Sequence, residues 1–287
     1  MRPWQAQPGA RRCADLPRVQ ANGVDLYYEI TGDHGDPLVL IHGSWGDHRN
    51  WDLVVPGLSK NFRVLTYDRR GHSQSEKTAT QGSYDEDAQD AAALMARLGV
   101  SPAHVVGNSS GSSIALKLAA KQPSAFRSLV VHEPPLWDLL ADDPSTAPRM
   151  LDTRNRMEAV AGMLRSGDRS GGARLFVETL AHGPGEWEKM PPQLKQTFIT
   201  NADTFLDQTR DPTGLNVDLK ALSQFRKPTL LTYGGKSPPP FRPVIEKLAK
   251  VMPNSKVEAY PDDGHTPHNS NPNEFVRRVT RFAEPLG

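Results

Sequence analysis

Two spacings of apolar residues alternate along the chain: short unbroken runs, and longer runs at helical period. Residues 24–30 follow Asn22-Gly23, a hairpin turn signal, so the first two strands are expected to pair antiparallel. Leu38-Val39-Leu40-Ile41 is apolar throughout, which suits a strand buried on both faces. Further runs predict strands at 63–67, 103–106, 128–132, 229–233 and 256–260. Helical spacing covers 51–59, 84–99, 110–122 and 242–251. Ser83 and Glu86 have capping-box form at one helix start. Asn271-Pro272-Asn273-Glu274 sets an N-cap, a proline and a glutamate at another, whose apolar stripe is Phe275, Val276, Val279 and Phe282. From 136 to 225 the alternation stops. Amphipathic stretches near 150–165, 172–182 and 192–207 follow one another with no strand pattern.

Strands alternating with helices imply a mostly parallel sheet covered on both faces. The helical block is then an insertion after the strand ending at His132. The chain divides into a flexible leader at 1–20, a core at 21–135 and 226–287, and a helical cap at 136–225. Ligands of such sheets bind at the carboxyl ends of the strands. The polar clusters fall there: His42 to Trp45, Asp68 to Ser73, Ser109, Glu133 and the loop after Tyr260.

Composition narrows the classes. At 287 residues the chain can hold one large α/β domain with an insertion. Net charge is +1 without a long run of either sign, which argues against a nucleic-acid or membrane-surface partner. The single cysteine, Cys13, excludes an internal disulfide and a Cys-rich metal site. Arg2, Arg11 and Arg12 precede no apolar stretch of signal-peptide type, and no segment is apolar enough to span a membrane. A soluble cytoplasmic protein, monomer or homodimer, is expected.

Gly107-Asn108-Ser109-Ser110-Gly111 joins the strand at 103–106 to the helix at 110–122. Strand, sharp turn and helix around G-x-S-x-G is the sequence form of a nucleophile elbow. Reversing a strand into a helix within two residues strains the backbone at the serine. Side chains at 107 and 111 would collide with the neighbouring elements. The turn lifts the serine Oγ off the sheet edge and aims the N–H of Ser110 at a developing oxyanion.

With His42-Gly43 after a strand, Asp68-Arg69-Arg70-Gly71-His72-Ser73, the Ser109 elbow and Asp263-Gly264-His265 before the last helix, the chain resembles the α/β-hydrolase fold family over nearly all of 20–285. The resemblance implies a mostly parallel eight-stranded sheet, Ser109 as nucleophile and His265 as its base, with His268 a second candidate. It implies an oxyanion hole from the backbone N–H groups of Ser110 and Ser44. The family most often places its acid after the seventh strand, where this chain has Gly234-Gly235-Lys236-Ser237-Pro238 and no carboxylate. Glu133, ending the sixth strand, resembles the acid of some haloalkane dehalogenases and is the favoured partner of His265. Asp262 and Asp263 are alternatives, as turn formers or acids.

A serine at the elbow points to acyl transfer rather than aspartyl-ester chemistry. An apolar ester or lactone is the expected small-molecule substrate. A perhydrolase, C–C bond hydrolase, lyase or ligand receptor of the same fold is the alternative. Trp45 and Trp137 are candidate substrate contacts, Trp45 equally a core residue. Leu136, Met150, Met157, Phe176, Trp187, Phe198 and Phe205 either line the pocket or pack the cap. No phosphate cradle, metal-ligand cluster or flavin signature appears, so no cofactor and no metal are expected.

Overall fold

A computed structural model describes residues 17–79, 82–211, 213–214 and 216–284. Cys13 and the first sixteen residues of the expected leader lie outside them. Residues 18–20, read as the leader's end, already belong to strand β1 (Arg18–Ala21), which pairs antiparallel with β2 (Val24–Thr31) across Asn22-Gly23. Asn22 and Gly23 both take positive φ, as such a turn requires.

The rest of the core follows as β3 (Asp36–Ile41), α1 (Val55–Leu58), β4 (Phe62–Tyr67), α2 (Tyr84–Arg97), β5 (Ala103–Asn108), α3 (Ser110–Lys121) and β6 (Phe126–His132). Then come α4 (Ala147–Arg165), α5 (Arg169–Phe176), α6 (Glu186–Lys189), α7 (Pro192–Asn201), α8 (Thr204–Arg210) and α9 (Leu219–Leu222). The core resumes with β7 (Thr229–Gly234), α10 (Phe241–Val251), β8 (Ser255–Tyr260), α11 (Pro267–Ser270) and α12 (Pro272–Ala283). Residues 51–59, expected as one helix, instead divide between a 3₁₀ turn at His48–Trp51 and the short α1, which opens around Pro56.

The eight strands form one sheet in the order β1-β2-β4-β3-β5-β6-β7-β8. Only the pairings of β2, with β1 and with β4, are antiparallel. Alternation along each strand splits the core in two. Val39, Ile41, Val105, Val131 and Leu231 pack with α2, α3 and α10, while Leu38, Leu40, Val106, Val130 and Leu230 pack with α1 and α12. Each such side chain, taken wholly out of water, contributes about 1.5–3 kcal/mol before entropy is counted.

The helices after β6 carry a third apolar cluster of their own, built from Val160, Leu164, Val177, Trp187, Phe198 and Phe205. Their α5 runs on into a π-helical turn, Val177–Ala181. Toward the end of the block the packing returns to the sheet, since Leu222 and Phe225 join the cluster around α3. At α12 the Asn271 side chain does not cap the helix; its amide donates to Asp263 Oδ2 instead. Among the described residues no helix is long and apolar enough to cross a membrane.

Candidate active site

The turn from β5 to α3 sets Ser109 at φ 55°, ψ −127°, a conformation that is costly for any residue with a Cβ. Its neighbours must be glycines. A Cβ on Gly107 would lie 2.6 Å from Gly111 O, and one on Gly111 would lie 2.6 Å from His42 O and overlap Ile41 O. Three bonds hold the turn in place. Ser109 N–H donates to His132 O at 2.9 Å, Ser112 Oγ donates to the same oxygen at 3.0 Å, and Asn108 Nδ2 donates to His265 O at 2.9 Å. As the first residue of α3, Ser110 offers an N–H with no acceptor inside the helix.

Glu133 leaves β6 at φ 49° and is fully buried. Its Oε2 accepts from His265 Nδ1 at 2.7 Å and from Ser237 Oγ at 2.9 Å; its Oε1 accepts from Gly234 N–H at 2.7 Å. Burial would raise its pKa, but the charge of His132, the hydrogen bond and charge of His265 and the Gly234 N–H outweigh it and hold it at about 2. At neutral pH His132 is itself uncharged, burial keeping its pKa at about 4, so there the hydrogen-bond donors alone support the carboxylate's charge. Ser237, in the loop after β7, thus donates to the carboxylate at the end of β6.

Of the other carboxylates near His265 in sequence, one is engaged elsewhere and one is exposed. Asp263 accepts from Ser270 Oγ at 2.7 Å and Asn271 Nδ2 at 3.2 Å, pinning the start of α12, and Asp262 is exposed. His268, the second candidate base, is buried against Trp51 with ring centroids 4.7 Å apart, and burial drives its pKa well down. Phe241 stacks on the His265 ring at 4.5 Å and 20°. His182, just past the π-helical turn, faces it from the insertion at 6.3 Å, and burial and the His265 charge lower its pKa to about 4.

Ser109 and His265 line one cavity of about 160 Å³. Ser44, Tyr84 and Gln208 form a polar wall, and Trp137, Met157, Phe176, Leu180, Phe205 and Phe241 an apolar one. Of the expected lining, Trp137, Met157, Phe176 and Phe205 are present. Leu136, Trp187 and Phe198 are buried in packing, and Met150 rests against the main core. Trp45 is not a wall of this cavity. It is fully buried at φ 67° and stacks on Phe176 with centroids 4.8 Å apart, which seats the insertion's apolar cluster on the core.

Behind the pocket, two loops are knitted by buried polar contacts. His42 Nδ1 donates to Gly43 O at 2.8 Å, and its Nε2 accepts from Arg69 N–H at 3.1 Å. Arg69 pairs with Asp87 at 3.0 Å, and His72 Nδ1 donates to Arg70 O at 2.8 Å. Among the described residues, two groups bring three metal-ligating atoms within 4.8 Å of one another: His132, Glu133 and His265, and Asp47, His48 and Asp68. In both, protein donors already fill the carboxylates: Asp68 accepts from His48 N–H, His48 Nδ1 and Gln74 N–H. That donor set suits a hydrogen-bonded network better than a cation.

A family model of the alpha/beta hydrolase fold matches residues 36–272. The chain belongs to the α/β-hydrolase family. Among relatives of this α/β hydrolase, an uncharacterized hydrolase YraK from Bacillus subtilis is 36% identical over 124 residues. The match takes in 42% of this chain and 45% of YraK, so the chain spans under half that relative's length. The sn-1-specific diacylglycerol lipase ABHD11 of Mus musculus is 26% identical over 272 residues, covering 89% of this chain and 84% of the lipase. The crystal structure of the enol-lactonase from Burkholderia xenovorans LB400 superposes with a TM-score of 0.76 at 20% identity, covering 93% of this chain and all of the other. That likeness is one of fold.

Tyr84, Gln208, Ser237 and Phe241 stand at the site without having been singled out in the sequence. Ser237 had a signal, as the polar residue in the loop that lacked its acid. Gln208 had none, since one glutamine on an amphipathic helix resembles any solvated position.

Proposed function

We propose that this α/β hydrolase cleaves a carboxylic ester or lactone through an acyl-enzyme on Ser109. The Glu133–His265 hydrogen bond, beside a cavity that His265 shares with Ser109, is the observation that carries the assignment. Ser109 Oγ attacks the acyl carbon while His265 Nε2 takes its proton, and the buried Glu133 carboxylate balances the imidazolium. The N–H groups of Ser44 and Ser110 receive the negative oxygen of the tetrahedral adduct, a contribution of about 3 kcal/mol per donor. His265 then returns the proton to the leaving oxygen. Water, deprotonated by the same imidazole, releases the acid and restores Ser109.

The apolar wall supports an apolar acyl group, and the cavity's modest volume supports a short chain or a compact ring. The segment 136–225 acts as the cap that closes over it. Ester cleavage by the mouse lipase agrees with this chemistry. The test is fluorophosphonate labelling together with a panel of p-nitrophenyl esters and lactones. Wild type should label and turn over, and Ser109→Ala should do neither. A Ser109→Ala variant that still hydrolyses the panel would remove Ser109 from the mechanism.

A further inference from the structure

The polar wall of the cavity is one connected chain of hydrogen bonds. Gln208, on α8, accepts at Oε1 from Ser44 Oγ at 2.8 Å, and Ser44 Oγ lies 3.0 Å from Ser110 Oγ. Ser44 has one hydroxyl proton; with that given to Gln208, its oxygen accepts from Ser110. The Tyr84 phenol lies against both serine hydroxyls, and burial pushes its pKa up to about 12, so at neutral pH it remains a protonated donor. The chain therefore joins a residue of the insertion to the two residues assigned to the oxyanion hole.

Those two residues differ in how firmly the core holds them. Ser110 is fully buried and fixed by α3. Ser44 is partly exposed, in a loop that passes directly into Trp45 at φ 67°. A hydroxyl tethered at one end to Ser110 and at the other to Gln208 restrains the Ser44 backbone, whose N–H has to meet the oxyanion. Misplacing such a donor by even an ångström is costly in the transition state and nearly free in the ground state.

We propose that Gln208 is a positioning residue that fixes the Ser44 half of the oxyanion hole through the Ser44 hydroxyl, so that the hole is complete only when α8 is seated. This rests on the acyl-enzyme assignment above. Gln208 touches no reacting atom and acts through Ser44 alone.

The test is a double-mutant cycle of Gln208→Leu and Ser44→Ala. It is read as kcat and KM for p-nitrophenyl butyrate and as the rate of Ser109 phosphonylation by a fluorophosphonate, with Ser109→Ala as the unlabelled blank. Each single variant should lower kcat and the labelling rate about tenfold, with KM held within about twofold. The double variant should be no slower than Ser44→Ala within about twofold, because the glutamine has lost the group it acts through. An unchanged kcat in Gln208→Leu overturns the proposal. So does a rise in KM alone, which marks a substrate contact, or a further loss of kcat in the Ser44→Ala background. If wild type neither labels nor turns over, the acyl-enzyme assignment falls and takes Gln208's role with it; labelling with an additive cycle removes the role of Gln208 only.

Discussion

Replacing Glu133 by glutamine changes one oxygen to an NH₂ group where three donors converge. His265 Nδ1 and Ser237 Oγ point at one carboxylate oxygen, and Gly234 N–H at the other. An amide can keep only one acceptor oxygen, so some donor must face an NH₂. If the NH₂ faces His265, the imidazole turns to its other tautomer, and Nε2 carries a proton where it should accept one from Ser109. Loss of the orienting carboxylate in a serine triad costs about 10⁴ in turnover, or about 5 kcal/mol of barrier. Glu133→Gln should therefore lower kcat for p-nitrophenyl acetate by about 10³–10⁴ while circular dichroism shows the fold intact.

The same carboxylate makes stability depend on pH. Its pKa in the fold, about 2, lies below the ordinary 4.5, so the stabilisation is fully present above about 4.5 and is lost as pH falls toward 2. Part of that lowering comes from the charge of His132, which is absent at pH 7. In urea titrations wild type should be more stable than Glu133→Gln at pH 7, and that advantage should shrink below pH 4.5. A folded Glu133→Gln that keeps more than about a tenth of its turnover would refute the role given to Glu133.

Two further substitutions test the frame around the site. Gly111→Ala forces a Cβ onto the carbonyls of Ile41 and His42 and should destabilise the fold by about 3 kcal/mol, the upper end for overpacking; an unchanged melting temperature contradicts the close approach. Trp45→Ala empties the seat beneath Phe176, Phe198 and Phe205 and should cost about 3–5 kcal/mol in urea unfolding. A loss under about 1 kcal/mol would mean that Trp45 is not packed as described.

Elements with a local cause could be read from the chain. The unbroken run at Leu38 to Ile41, the glycines flanking Ser109 and the Ser83 cap each follow from steric or hydrogen-bonding needs met within a few residues. Glu133 was legible only through its likeness to the acid of some haloalkane dehalogenases, since the loop at 234–238 offers no carboxylate and left Asp262 and Asp263 open as well. What escaped is set by contacts distant in sequence. Trp45 packs with the insertion rather than facing the cavity, and no neighbouring residue announces which. Asn271 has the identity and place of an N-cap, yet Asp263 claims its amide. Gln208 reaches Ser44 across 164 positions of chain, a meeting no periodicity encodes.

Asn108 and His132 are register partners on β5 and β6, and the groups proposed to react hang from that one rung. Ser109 follows the first and Glu133 the second, and the Asn108 amide grips the carbonyl of His265. The rung works as a mounting plate: it carries Ser109 and Glu133 side by side and holds His265 through the Asn108 amide, with Phe241 of α10 stacked on the imidazole. Descendants of this chain that exchange the helices of the insertion for others would keep that rung, but would need a new partner for the Ser44 hydroxyl in place of Gln208.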